Sequence, residues 1–260
     1  MAAGNLEQRV AVRSRDELGD LAAAFNQMSA DLAHSNDLRR QMTADIAHDL
    51  RSPLTVIAGY LEAMRDGVLK PTPARFDAMH AESQHLLRLV EDLRTLSLAD
   101  AGELTLNRQA VSPLALLERL GTAYQHQAAQ RGVALKVEAV GDLPDLNVDA
   151  ERMAQVLGNL ISNALRYTPA GGEIVLGATS EDLTPRLTVR DTGAGIAPDA
   201  VPRIFDRFYR VDPAREENTG ESGLGLAIAK SIVEAHGGTI RAESILGQGT
   251  TFIIAFPAGK

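Results

Sequence analysis

The stretch TADIAHDLRSPLTVI, residues 43–57, sets a histidine inside a pattern that is typical of a long amphipathic helix. Apolar residues recur at spacings of three and four, which is the periodicity of one helix face. The repeat runs through Leu18, Leu21, Phe25, Met28, Leu32, Met42, Ile46, Leu50, Ile57, Leu61 and Met64. So long a repeat without internal caps predicts a coiled-coil or bundle helix over residues 16–66.

A second helix is predicted over residues 74–99, after a turn marked by Gly67, Pro71 and Pro73. Two long helices joined by a short turn form a helical hairpin. The apolar stripe of the hairpin is too broad to be buried within one copy. We therefore expect two copies to form a four-helix bundle, which makes the protein a homodimer.

His48 lies opposite the apolar stripe when the helix is drawn at 100° per residue, because Ile46 and Leu50 fall at about 160° and 200° from it. An exposed imidazole is therefore predicted, although most surface histidines are inert. Asp49 is a carboxylate that can accept one ring N–H and leave the other nitrogen nucleophilic. Pro53 lacks the N–H that would bond to the carbonyl of Asp49, which predicts a kink or a joint one turn after the histidine.

The composition excludes several classes of protein. The 260 residues are 45% hydrophobic and 23% charged, and cysteine is absent, so the chain has no disulfide framework and no thiolate metal site. The net charge of -8 and the lack of a long Lys/Arg run argue against a nucleic-acid partner. No run of apolar residues is long enough to span a membrane, and the first ten residues lack the core of a signal peptide.

Residues 103–260 alternate between strand-like and helical patterns, which predicts one α/β or α+β domain. Strands are expected at 104–106, 133–137, 174–176, 187–189, 239–242 and 251–256. Helices are expected at 113–130, 150–167 and 224–236. A loose basic patch, defined by Arg203, Arg207, Arg210 and Arg215, is either a solvated surface or part of a site.

The segment HDLRSPL, residues 48–54, resembles the H-box of sensor histidine kinases, whose usual form is HELRTPL. The resemblance implies that His48 attacks the γ-phosphate of ATP, that Asp49 acts as the base in place of the usual Glu, and that the hairpin dimerises. Ser52 stands where Thr or Asn is commoner. At that position the family can place a water molecule for dephosphorylation of its partner.

The segment NLISNALRY, residues 159–167, resembles the N-box of the same family. Asn159 and Asn163 are four residues apart and share one helix face. An amide oxygen is a hard ligand that suits Mg²⁺. The resemblance assigns the metal to Asn163, phosphate contacts to Asn159 and Arg166, and the lining of the nucleotide pocket to Tyr167. Without it, two asparagines on a helix are typical of a polar surface.

The segment DTGAG, residues 191–195, resembles the G1 box. Asp191 follows an apolar strand, and a carboxylate there can accept the exocyclic amine of adenine. Gly193 and Gly195 allow the backbone to approach the ring. A dinucleotide-binding fingerprint is excluded, because Pro198 stands where that pattern needs its third glycine.

Three later segments complete the resemblance. IFDRFYR, residues 204–210, resembles the F-box, whose aromatic side chains are core anchors, braces for an ATP lid, or both; its assigned residues are Phe205, Arg207 and Phe208. The polar residues 211–222 predict a mobile lid. GLGLAIAK, residues 223–230, resembles the G2 box, in which the backbone N–H groups of a helix start face phosphate. The residues assigned to nucleotide binding here, with the one in the G3-like segment GQGTTF, are Gly223, Leu224, Gly225 and Thr250.

The resemblance runs from about residue 5 to residue 257 and implies three domains. A partial HAMP linker and connecting helix occupies 1–35, on the likeness of RSRDELGDLAAAFNQM. The dimerising hairpin occupies 36–102, and an ATP-binding α/β sandwich of the Bergerat type occupies 103–260. The first HAMP helix is not in the sequence. We therefore expect the chain to be the cytoplasmic part of a membrane receptor whose spans lie upstream.

The implied activity is autophosphorylation of His48 with ATP and Mg²⁺, followed by transfer to an aspartate on the receiver domain of a response regulator. Phosphatase activity on that regulator is also implied. Two other classes of protein stay open at this stage. One is an ATP-driven conformational machine with the same nucleotide fold, and the other is a signalling scaffold without catalysis.

Overall fold

The computed structural model describes residues 17–181, 184–210 and 222–257. The chain forms two compact units, Met1–Leu86 and Leu87–Lys260, so that the division falls inside the second long helix. The boundary predicted between residues 102 and 103 stays a prediction. No helix in the described ranges is both long enough and apolar enough to cross a membrane.

The two long helices confirm the predicted hairpin elements to within a residue or so. Helix α1 is Glu17–Arg65 and continues without a break through Pro53, whose side chain is buried. It ends at Arg65, two residues before Gly67. Gly67 has a left-handed φ of 74°, a conformation that is common just after the end of a helix. Helix α2 is Pro73–Asp100. Proline suits the first position of a helix, because the backbone N–H that it lacks would have no partner within the helix there.

The second unit contains a five-stranded mixed sheet and a small two-stranded sheet. Strand order in the large sheet is β2-β4-β5-β7-β6, with β2 and β4 parallel and the other neighbours antiparallel. The small sheet pairs β1 with β3. The strands are β1 Gln109–Val111, β2 Ala134–Val140, β3 Leu146–Val148, β4 Glu173–Glu181, β5 Thr184–Asp191, β6 Thr239–Ile245 and β7 Gly249–Ala255.

Helices α3 Pro113–Gln130, α4 Ala150–Tyr167 and α5 Gly225–Ala235 pack on the large sheet. Helix α3 packs against β2 and β4, α4 against β4 and β5, and α5 against β6 and α4. Alternate residues of β5 and β7 point into this core. Leu187 is paired with Ile254 across these strands, and both side chains are fully buried. Burying such a side chain contributes about 1.5–3 kcal/mol.

The predicted strand at residues 104–106 is wrong. The alternation Leu104, Thr105, Leu106 imitates a strand, but β3 pairs further along, with Gln109 opposite Val148. The backbone N–H of Asn107 donates to the carboxylate of Asp149 instead of to a strand partner, at 2.9 Å. The two short strands β1 and β3 were not predicted, because three residues are too few to show an alternating pattern.

Asp149 caps helix α4 and fastens the preceding segment to it. Its Oδ1 accepts from the backbone N–H groups of Glu151 and Arg152, each at 3.0 Å, and its carboxylate also accepts from Asn107. Burial raises the pKa of Asp149, but these three hydrogen bonds to the ionised form outweigh it and lower the pKa overall.

His236 joins the end of α5 to the start of α4. Its Nδ1–H donates to the carbonyl of Ile232 at 2.8 Å, and its Nε2 accepts from the backbone N–H of Asp149 at 3.0 Å. The ring is 4% exposed. Burial lowers the pKa of His236, with a smaller contribution in the same direction from the charge of Arg108. The neutral imidazole is therefore the form that the fold uses.

The lowered pKa of His236 predicts that the protein loses stability in mild acid. An unfolded histidine titrates near pH 6.5, so below that pH the unfolded chain takes up a proton that the folded chain resists. The stabilisation is complete above about pH 6.5 and is lost as the pH falls through the folded pKa. Burial raises the pKa of Asp92 to about 6, which opposes this loss over the same range in any variant that keeps Asp92. The prediction is therefore a difference: as the pH is lowered from about 7 to 5, the urea midpoint of the wild type should decrease relative to that of His236→Asn.

The control is His236→Asn, which should be less stable but should lack this part of the pH dependence over the same range. A second variant, His126→Asn, alters an exposed histidine and should keep the wild-type dependence. The same pH dependence in His236→Asn as in the wild type would contradict the assignment.

Candidate active site

His48 is exposed, as the helical wheel predicts. Its side chain is 80% accessible, whereas the side chain of Asp49 is only 15% accessible. The ring Nδ1 lies 3.4 Å from Asp49 Oδ1, which is long for a hydrogen bond. With the proton on Nδ1 facing this carboxylate, the lone pair of Nε2 is the one available to a ligand.

The surroundings of His48 are polar on the exposed side. Ser52 is exposed one turn further along the helix. The hydroxyl of Thr55 donates to the carbonyl of Arg51 at 2.9 Å, so it is engaged with its own helix. The predicted kink at Pro53 stays a prediction.

Asp191 ends strand β5 and is 5% exposed. Its Oδ1 accepts from the backbone N–H of Gly193 at 2.8 Å and of Thr250 at 3.3 Å. Burial raises the pKa of Asp191, and these two hydrogen bonds oppose the rise. Among the described residues both bonds end on Oδ1, which leaves Oδ2 as the acceptor for a ligand amine.

The backbone of the loop after Asp191 lies so close to neighbouring backbone that Gly193 and Gly195 have no room for a Cβ. A Cβ on Gly193 would lie 2.5 Å from the carbonyl oxygen of Tyr167. Gly195 has a left-handed φ of 68°, and a Cβ there would collide with the carbonyl oxygen of Ile245. The glycines of the G1-like segment are therefore required by the backbone packing itself.

Helix α4 carries the N-box residues. The side-chain amide of Asn159 donates through Nδ2 to the carbonyl of Gly225 at 2.9 Å, so it ties α4 to the first residue of α5. The guanidinium of Arg166 lies 5.2 Å from the ring centre of Tyr167, within cation–π range. Tyr167 is 40% exposed, and Asn163 is half-buried.

The donor set fits Mg²⁺ held partly by a nucleotide. The described residues contain no cluster of three His, Asp or Glu side chains that could hold a metal. Mg²⁺ in phosphate sites usually takes one or two protein oxygens, and the substrate phosphates and waters supply the rest. A single amide oxygen from Asn163 is compatible with that arrangement.

Two of the F-box residues contact other segments of the second unit. The ring of Phe205 meets that of Phe252 edge to face, with centroids 6.3 Å apart, which supports its role as a core anchor. Phe208 has a φ of 58°, a conformation that a bulky side chain rarely adopts. Its backbone N–H donates to the carbonyl of Gly223 at 3.1 Å, and this bond joins the F-box to the residues before α5.

The basic patch has partners within the second unit. Arg207 forms an ion pair with Asp100, the last residue of α2. Arg203 lies 4.5 Å from the ring centre of Tyr209 and also faces an acidic neighbour on its own turn. Arg215 lies outside the described residues, and so does most of the predicted lid.

Two residues beside the site carry no motif in the sequence. Asp100 meets Arg207, although 107 positions separate them in the chain. Ser244, in β6, bonds to both loops that flank Asp191. Each pairing depends on how distant segments fold together, so the sequence alone offered no signal for it.

Replacing Gly195 by alanine should disrupt the site, because the added methyl collides with backbone rather than with a movable side chain. Gly141→Ala is the matched control, since Gly141 has a φ of 84° and open space around its missing Cβ. The control should lose about 1–2 kcal/mol of stability from the left-handed conformation alone. It should keep its ATP affinity.

Gly195→Ala should lose at least about 3 kcal/mol of stability, or else fold with ATP affinity reduced at least about tenfold. Urea unfolding and calorimetric titration with ATP measure the two quantities. Equal behaviour of the two variants would show that the close approach at Gly195 has no consequence.

Three family models match the chain in order. The HAMP domain matches residues 1–34, the His Kinase A (phospho-acceptor) domain matches residues 38–102, and the histidine kinase-, DNA gyrase B-, and HSP90-like ATPase family matches residues 148–260. His48 and Asp49 fall within the second match, and all the predicted nucleotide residues fall within the third.

Known proteins match the chain over most of its length. The signal transduction histidine-protein kinase BaeS of Escherichia coli (strain K12) is 42% identical over 260 residues, which is 99% of this chain and 55% of that protein. The chain thus spans about half of that relative, and 36% of WalK from Bacillus subtilis (strain 168), which is 38% identical to it.

The solved structures that match the chain are also histidine kinases. The histidine kinase AdeS of Acinetobacter baumannii superposes with a TM-score of 0.70 and is 30% identical; the match covers 82% of this chain and 98% of that one. ShkA, solved at full length in complex with AMPPNP, superposes with a TM-score of 0.63 at 30% identity, over 84% of this chain and 45% of that one. The chain belongs to the family of sensor histidine kinases.

Proposed function

We propose that this chain is an ATP-dependent protein kinase that phosphorylates its own His48. The observation that carries the proposal is an exposed imidazole beside a carboxylate, His48 and Asp49, on the same chain as a buried carboxylate, Asp191, beside a glycine loop. The first is a nucleophile open to solvent, and the second is suited to hold adenine. An ATP-driven conformational machine needs the second site but has no use for the first.

His48 and Asp49 divide the work of the phosphoryl transfer. The Nε2 lone pair of His48 forms the new P–N bond as the bond from the γ-phosphorus to the bridging oxygen breaks and ADP leaves. The imidazolium that results loses its Nδ1 proton to Asp49 Oδ1, 3.4 Å away. Catalytic hydrogen bonds of this kind are often long before substrate binds.

The second unit binds and orients the nucleotide. Asp191 Oδ2 accepts the exocyclic amine of adenine, and the backbone N–H groups at the start of α5 face the phosphates. Asn163 would hold Mg²⁺, which when bound neutralises charge on the phosphate oxygens. Arg166 adds a positive charge on the same helix. The complex of ShkA with AMPPNP supports nucleotide binding by this fold.

Dimerisation is supported by the first unit taken alone. Large apolar side chains on α1 and the early part of α2 are at least half exposed in the single chain, which leaves them to be covered by another surface. They are Leu21, Met28, Leu32, Leu54, Leu61 and Phe76. A second copy packed as a four-helix bundle buries such stripes, and the match to a phospho-acceptor domain over residues 38–102 agrees with this arrangement.

The proposed partner and location follow from the family. The phosphoryl group passes from His48 to an aspartate on the receiver domain of a response regulator. The complete protein is proposed to be a membrane receptor, on the strength of the HAMP match over residues 1–34 and the likeness to BaeS. The chain would then be the part that faces the cytoplasm.

Incubation with γ-labelled ATP and Mg²⁺ tests the proposed activity. The wild type should acquire a label that is lost in acid and stable in base, as expected of a phosphohistidine. His48→Ala should lose the label while retaining its affinity for ADP. His80→Ala, which alters an exposed histidine on α2, is the matched control and should label normally.

Each outcome of this experiment identifies one class of protein. Release of free phosphate without label would identify a conformational ATPase. A wild type that binds no nucleotide would identify a scaffold. Label that persists in His48→Ala would show that the phosphoacceptor is elsewhere.

Ser52 is proposed to place a water molecule for dephosphorylation of the regulator. Ser52→Ala should lower that rate at least about tenfold by removing an orienting group, and should leave autophosphorylation unchanged. The substrate is a phosphorylated receiver domain that this chain itself labels. Thr55→Ala, at an exposed hydroxyl already bonded to Arg51, is the control. An equal loss of both activities in Ser52→Ala would refute the separation.

A further inference from the structure

Ser244 is the point at which two loops beside Asp191 are joined. Its hydroxyl oxygen accepts from the backbone N–H of Ile196 at 2.8 Å and donates to the carbonyl of Gly249 at 3.0 Å. It also lies 2.9 Å from the hydroxyl of Thr250. Since the Ser244 proton is engaged with Gly249, the Thr250 hydroxyl is the donor in that third contact.

These contacts close a ring around the carboxylate. The first arm is the loop that runs from Asp191 through Gly193 to Ile196. The N–H of Gly193 donates to Asp191 Oδ1 at 2.8 Å. The second arm is the turn 246–249, which leads into Thr250. The N–H of Thr250 donates to the same oxygen at 3.3 Å. Ser244 bonds to both arms, so its hydroxyl is one of the links that complete the ring.

The two arms have little room to adjust independently. The N–H of Gly247 donates to the carbonyl of Ala194 at 2.7 Å, which is a second link between them. A Cβ on Gly249 would collide with the backbone carbonyl of Asp191, so that arm lies directly against the strand end. Ser244 is half-buried and Thr250 is 6% exposed, so a lost bond there is poorly replaced by water.

We propose that Ser244 is a positioning residue for nucleotide binding, which acts by holding the loop 192–196 and the turn 246–249 at a fixed spacing on either side of Asp191. The inference rests on the proposed function, because it takes Asp191 to receive adenine. Ser244 itself need not touch the nucleotide. Its effect reaches the ligand through Thr250 and through the backbone at Ile196.

Ser244→Ala should weaken ATP binding about tenfold, since it leaves the Ile196 N–H without its acceptor and frees the Thr250 hydroxyl. ADP should weaken by the same factor, because adenine is common to both ligands. The rate of His48 labelling at saturating ATP should stay near that of the wild type, so the change appears in KM rather than kcat. Ser244→Thr, which keeps the hydroxyl, should restore most of the affinity.

Two controls separate positioning from general stability. Thr239→Ala alters an exposed hydroxyl on the same strand and should bind ATP normally. The second is the double variant Ser244→Ala/Thr250→Ala. The ring predicts that the second substitution adds little to the first, because each breaks the same connection.

The wild type is titrated with ATP and ADP first, so a wild type that binds neither refutes the proposed function rather than the role of Ser244. With a wild type that binds, unchanged affinity in folded Ser244→Ala overturns the inference, and so do fully additive effects in the double variant. If Ser244→Ala does not fold, Ser244→Cys carries the test by the same criteria, because a thiol of similar size is a weak acceptor.

Discussion

The proposed nucleotide site of this protein is built around one buried carboxylate. Asp191 is held at the end of a central strand by two backbone N–H groups, in surroundings that disfavour its charge. A charged group in such a place costs free energy unless it is well hydrogen-bonded. The glycines on both sides let the backbone come close enough to supply those bonds, so the conformation of the loops and the ionisation of Asp191 depend on each other.

The proposed phosphoacceptor of the helical unit, His48, is exposed, in contrast to the buried Asp191. The apolar stripe of α1 faces one way and His48 faces the other. Pro53 is buried one turn beyond the histidine without interrupting the helix. The carboxylate of Asp49, which is mostly buried, can orient the imidazole of His48 while the ring remains exposed to solvent. An imidazole exposed in this way is accessible to a bulky phosphoryl donor, as the proposed reaction with ATP requires.

Long periodic segments were predictable because a repeated pattern over many residues reports on burial directly. The bounds of α1, α3 and α4 follow from such patterns, and the glycine and asparagine motifs supplied the residues of the proposed nucleotide site. The sequence misled at residues 104–106, where alternation exists without a partner strand. It gave no signal for the contact of Ser244 with Ile196 or of Asp100 with Arg207, because these partners lie 48 and 107 positions away in the chain and a single serine or aspartate has no periodicity. Short motifs and periodic segments can therefore be recognised in the sequence, whereas contacts between residues that are distant in the chain cannot.

The proposed reaction is divided between groups that belong to different units, and this has a kinetic consequence. His48 and Asp49 lie in the unit Met1–Leu86, whereas Asp191, Asn163 and the start of α5 lie in the unit Leu87–Lys260. Neither set can perform the transfer alone, so the rate depends on how often the nucleophile and the bound nucleotide meet in line. Positioning of this kind can supply several kcal/mol of barrier reduction, of the order of 7–11 in well-oriented systems. A signal that changes the arrangement of the units can therefore change the rate greatly without altering a single catalytic group.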